Sequence, residues 1–208
     1  AKLAIGPSTD SGFYYDFDLT DGYAFTQEDL VKIEEEMKNI IKQNLTFEKY
    51  FVEDVDAKIA EFKAEGEIYK AELLEEHRND NPTLYLTKDK DGNVLFNDLC
   101  AGPHIPNTSY IKGNAIKLIK VAGAYWRGDS SRKMLQREYG TAFPSQAELD
   151  EYIARLEEAK KRDHNKLGRE LELFTTSDLI GQGLPILLPK GAKMIQTLQR
   201  FVEDEEAK

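Results

Sequence analysis

The sequence predicts an α+β fold built on an antiparallel sheet. Helix-period segments come early and period-two segments follow without strict alternation between them. The charged turn KDKDGN separates two strand-like runs by hairpin spacing. A chain of 208 residues that is 40% hydrophobic can also bury a core of one large domain or two small ones.

The elements follow in order. AKLAIGP reads as a strand already under way, and GFYYDFDL, residues 12 to 19, alternates aromatic and acidic side chains as a half-buried strand does. Thr26 and Asp29 start a helix whose apolar face, Leu30, Ile33, Met37, Ile40 and Ile41, runs to about Gln43. A second helix spans Asp54 to Glu65, and Gly66 stands where a left-handed cap belongs. YKAELL, TLYLT, NVLFND, AIKLIKVAG and MLQREYGTAF are then read as strands. Ser145 and Glu148 cap a long helix from 145 to 172 whose centre, EEAKKRDHNK, is almost wholly charged, the pattern of a helix that links two bodies. A glycine- and proline-rich connection leads into a last apolar-faced helix from about Gly191. Its uncapped end, and a first residue other than methionine, are expected of a stretch cut at both ends.

Composition narrows the function. No run of about 18 apolar residues could span a membrane, no signal peptide is present, and one cysteine suits the reducing cytoplasm. The net charge of −10 argues against indiscriminate nucleic-acid binding. Against that trend, Lys112 to Glu138 carries a local excess of five positive charges. Within it, Tyr125, Trp126 and Tyr139 stand among Arg127, Arg132, Lys133 and Arg137, a mixture suited to stacking and phosphate contact with RNA ends, though core packing explains the aromatics equally well.

Cys100 lies four residues before His104, and Gly102 and Pro103 between them favour a tight loop over a helix. Spacing alone leaves three readings open: a thiol nucleophile activated by imidazole, half of a metal site, or a buried thiol beside an exposed histidine. Two such ligands are too few for zinc, so no metal site complete within the chain is expected. Asp98 is close enough to orient either group, and Lys70 in the strand-like EIYKAEL is a lesser candidate to point into a pocket.

Four blocks then carry a resemblance over essentially the whole chain. AIGPSTDSGFYYDF, DLCAGPHIP, AGAYWRGDSSRKMLQREYGTAF and RLEEAKKRDHNKLGRELELF, in this order, closely resemble bacterial threonyl-tRNA synthetases. The resemblance implies an editing domain at 1–143, a linker helix at 144–172 and the start of a class II aminoacylation domain at 173–208. It implies hydrolysis of serine wrongly joined to threonine tRNA, with His104 and Lys70 as catalytic groups. Cys100, Asp98 and Tyr14, with Tyr15 beside it, are expected to shape the substrate cleft, and Arg127, Lys133 and Trp126 to meet RNA. The family also places a His-x-x-x-His pair upstream of the segment matching AKLAIGP, and no two of His77, His104 and His164 have that spacing. Little deacylase activity is therefore expected of the 208 residues alone. No cofactor is expected in this stretch; ATP, magnesium and a catalytic-domain zinc belong to the parent, which the resemblance makes a cytoplasmic homodimer. Two rivals remain: a free-standing deacylase of the alanyl-editing type, and a non-enzymatic RNA-binding module with no need of Asp98, Cys100 and His104.

Overall fold

The structure, a computed structural model, describes residues 1–19, 22–181 and 183–208. The chain divides into two compact units, Ala1–Leu149 and Asp150–Lys208.

In the first unit, β1 (Lys2–Leu3), β2 (Ser8–Thr9) and β3 (Gly12–Asp18) precede α1 (Gln27–Lys42) and β4 (Thr46–Phe51). Helices α2 (Val55–Glu65) and α3 (Ile68–Glu76) follow, then β5 (Thr83–Lys88), β6 (Val94–Leu99), β7 (Ile116–Tyr125) and β8 (Met134–Ala142). Two antiparallel sheets result. One runs β1-β3-β8-β7 with β2 hairpinned onto β3; the other runs β4-β5-β6. The KDKDGN hairpin forms as expected, with Tyr85 opposite Asp98 and Thr87 opposite Phe96.

Helix α1 begins at the expected capping box, in which the Asp29 amide donates to Thr26 Oγ1 and the Thr26 amide to Asp29 Oδ2. Its Glu34 is buried and satisfied: it accepts from the Leu118 amide at 3.2 Å and pairs with Lys38 and Lys117, so α1 is keyed to the β7 edge. Helix α2 ends at Gly66 with φ of 80°, the left-handed cap foreseen from sequence.

The segment YKAELL corrects the strand expected there: it lies in α3. Apart from the aromatic Tyr69 these residues form helices well, and Ala71 and Leu74 fall on one side of two helical turns, where they pack with Ile59, Phe62 and Leu84. A second cluster joins Ala4, Tyr69, Trp126 and Leu135. Sequence reading also passed over β4, whose six residues pair in register with β5.

The continuous helix expected from 145 to 172 is interrupted. Helix α4 (Gln146–Lys161) is capped by Ser145, whose hydroxyl accepts from the Glu148 amide; α5 (His164–Glu170) starts afresh at Asp163, whose carboxylate accepts from the Lys166 amide. A side chain that caps a new helix also offers the preceding turn an exit, which the helical spacing of Leu156, Leu167 and Leu171 conceals. In the second unit β9 (Phe174–Thr175) pairs antiparallel with β10 (Ile186–Leu187) ahead of α6 (Pro189–Glu206). Among the described residues no helix is long and apolar enough to cross a membrane.

Candidate active site

Strand β6 delivers Asp98 and then Cys100 to a pinned loop. The Cys100 amide donates to the Thr83 carbonyl at 3.0 Å, and Thr83 Oγ1 donates back to the Cys100 carbonyl at 2.6 Å. Beyond it the chain reverses through Gly102, with φ of 75°, and a cis peptide bond to Pro103. A β-carbon at Gly102 would lie 2.1 Å from Tyr85 Oη, so both backbone conformation and space demand glycine. The turn brings His104 Nε2 to 3.3 Å from Cys100 Sγ, while the Gly102 amide points at the same sulfur from 3.4 Å. Thiol and imidazole therefore face one another, the thiol half-buried and the histidine exposed.

The imidazole is held by aromatic contacts. Its ring stacks on Tyr85 with centroids 3.8 Å apart and planes 10° from parallel, and Phe47 meets it edge-on at 5.2 Å. Partial burial by these rings lowers the His104 pKa below its ordinary value, while the Asp98 charge pulls weakly the other way. At neutral pH the ring is therefore a neutral base.

Asp98 is the junction. Its Oδ1 lies 3.0 Å from Lys70 Nζ, and its Oδ2 accepts from Tyr15 Oη at 2.6 Å. Lys70, on α3, is buried, and its ammonium also sits 5.4 Å from the centroid of the Phe96 ring. Burial and then the Asp98 carboxylate drive the Tyr15 hydroxyl well above the usual phenol range, so it stays a donor. Tyr15, Asp98 and Lys70 thus arrive from β3, β6 and α3. The neighbouring Tyr14 projects from the other face of β3, 3.9 Å from the Arg137 guanidinium, and takes no part in this cluster. Tyr85 and Thr83, which support the loop, carry no mark of that role in the sequence. Glu138, opposite Tyr15 in the β3–β8 ladder, is buried with one carboxylate oxygen unpartnered, and burial raises its pKa.

The basic aromatic strip is arranged differently. Trp126 is only 4% exposed; it packs on Tyr69 at 5.0 Å and donates from Nε1 to Glu72 at 3.3 Å. This leaves no ring face for a base, which corrects the expectation that Trp126 meets RNA. Arg127 pairs with Glu72 and Glu76, Arg132 with Glu72 at 2.6 Å, and Lys133 with Asp18 at 2.6 Å. Arg137 holds the buried Asp16 through two bonds of 2.7 and 2.8 Å. Two surface hollows lie away from the Cys100 loop. One, of about 470 Å³, borders Phe17, Tyr23 and Lys133; the other, of about 420 Å³, borders Ile68, Glu72 and Arg127. Among the described residues no three His, Cys, Asp or Glu side chains gather as metal ligands would.

Residues 85–139, which hold β6, the loop and most of the strip, match the family model of the threonyl and alanyl tRNA synthetase second additional domain. The match is to an additional domain of aminoacyl-tRNA synthetases. Over 205 residues, 99% of this chain and 30% of the relative, the sequence is 55% identical to a threonine–tRNA ligase of Clostridium botulinum (strain Eklund 17B / Type B). It is 53% identical over its full length to the threonine–tRNA ligase of Geobacter sp. (strain M21), covering 31% of it, and 49% identical to that of Halalkalibacterium halodurans, covering 30%. The chain is thus similar over essentially its whole length to threonine–tRNA ligases, and it spans about 30% of the length of the curated relatives it matches.

Proposed function

We propose that this chain carries most of the hydrolytic editing domain of a threonine–tRNA ligase, the part that removes serine wrongly esterified to threonine tRNA. The need is physical: serine lacks one methyl group of threonine, and a missing methyl is worth only about 1–3 kcal/mol in a pocket. A second, hydrolytic site makes up the difference. The observation that carries the reading is the convergence of His104 on Cys100 beside the Lys70–Asp98–Tyr15 chain.

In this reading neutral His104 accepts a proton from water as the water oxygen attacks the ester carbonyl. Lys70, aimed by Asp98, steadies the negative charge that grows on the carbonyl oxygen. The carbon–oxygen bond to the terminal ribose then breaks, the ribose oxygen takes the proton back from imidazolium, and serine leaves as its carboxylate after its acid proton passes to solvent. Cys100 and Asp98 shape the pocket around the seryl group. Tyr15 replaces Tyr14 as the aromatic lining, because it is the one that reaches Asp98.

The remaining assignments belong to the same proposal. Residues 1–143 are the editing domain, 144–172 the interrupted linker and 173–208 the start of the class II domain. The whole ligase is a cytoplasmic homodimer that joins threonine to its tRNA. ATP, magnesium and a catalytic-domain zinc serve that joining reaction, and no editing step is routed through them. Arg127 and Lys133 meet tRNA phosphates by their outer edges. In a full-length ligase carrying this stretch, His104→Ala should slow hydrolysis of seryl-tRNA by about 10²- to 10⁴-fold with threonylation intact. Unchanged hydrolysis would sink the proposal.

A further inference from the structure

Phe96 is an aromatic ring that meets Lys70 yet keeps nearly half of its surface in solvent. It is 46% exposed on β6, at the outer edge of the β4-β5-β6 sheet, beside Val94 and Leu95, which are also exposed. Strand alternation puts Phe96 and Asp98 on one sheet face, and the register adds Tyr85, opposite Asp98, to that face. Phe96 and Asp98 are thus about 7 Å apart along the strand. Lys70 joins the two, its ammonium 3.0 Å from Asp98 and 5.4 Å from the ring centroid.

The surrounding aromatics are occupied in another way. Tyr85 is buried and gives a face to His104, and Phe47 presses its edge against the same imidazole. They hold the base in place, whereas Phe96 offers surface to solvent at the mouth of the same cluster. A flat apolar surface beside a charged cluster fits a substrate with a planar apolar group one sugar away from a polar reacting centre. An aminoacyl ester on a 3′-terminal adenosine has that build: the ester at one end of the ribose, the purine at the other.

We propose that Phe96 is the stacking platform for the terminal adenine, so that the base rests on β6 while the ester lies over Asp98, Cys100 and His104. This rests on the editing function proposed above. Stacking of this kind tolerates any purine, because every base has a π-face. The platform therefore supplies grip and distance, and the identity of the amino acid is judged at the other end of the ribose.

Two hydrolysis-resistant probes test the inference in the full-length ligase: 3′-seryl-amino-3′-deoxyadenosine, and the same seryl-amino ribose without its base. Phe96→Ala should weaken binding of the adenosine probe about 5- to 150-fold, equivalent to about 1–3 kcal/mol. It should leave binding of the base-free probe unchanged, and Phe96→Trp should restore the adenosine affinity. Equal losses on both probes, or no loss on either, overturn the platform, the first by assigning Phe96 to the support of Lys70. Failure of the parent protein to bind either probe would instead count against the editing function itself. The ring is half in solvent, so the alanine variant should keep its fold, which circular dichroism checks.

Discussion

The Cys100 loop and the strip from Ala122 to Phe143 draw on similar chemistry, with aromatic rings beside ionisable groups, yet the fold uses them in opposite ways. In the loop, aromatic rings hold an imidazole from behind and leave it open in front. In the strip, the indole is turned inward and the cations are matched by carboxylates of α3 and β3. A positive run in the sequence becomes a positive surface only where the fold brings no acids alongside it. Here Glu72, Glu76, Asp16 and Asp18, distant in sequence, neutralise much of the excess.

The comparison can be sharpened by substitutions on either side. The largest effect on stability is expected at Trp126: truncation to alanine empties the cluster with Tyr69 and Leu135 and should cost about 3–5 kcal/mol. Urea unfolding would measure it. A Trp126→Ala protein of normal stability that had lost tRNA affinity would reverse the assignment of this ring to the core. Next in size is Gly102→Ala, where left-handed backbone and the clash with Tyr85 together should cost about 1–3 kcal/mol. Because Tyr85 backs His104, seryl-tRNA hydrolysis should fall more steeply than stability does, which paired thermal melts and deacylation rates would reveal.

The smallest effect is a displacement along the pH axis. His104 is lowered from 6.5, so the neutral base forms as pH rises through a midpoint below that value, and hydrolysis should be lost only on acidification beneath it. Asp98 opposes the lowering, so Asp98→Asn should move the midpoint further down. A profile of kcat/KM against pH checks both, and a midpoint above 6.5 would contradict the desolvated setting of the imidazole.

Local signals were legible where a side chain acts on its own neighbours. The Thr26–Asp29 box, the Gly66 cap, the Ser145 cap and the hairpin turn each work within a few residues, and each forms as read. Helix α3 was opaque because it is only nine residues long and its N-cap, Glu67, makes no side-chain capping bond. The site was half legible. Cys100, His104 and Asp98 share one short stretch, whereas the choice between Tyr14 and Tyr15 depends on which face of β3 meets β6. Alternation says that the two tyrosines point apart and is silent on the partner each will find.

The bond from Tyr15 to Asp98 spans 83 residues of sequence. Contacts of such separation tend to close late, after the loops between them have been ordered. A ribosome must therefore have released the chain well past His104 before this junction can exist. The proposed hydrolytic centre would then stay incomplete until the chain through Asp98 has been made, so that a shorter nascent chain has no means of stripping amino acids from the tRNA pool.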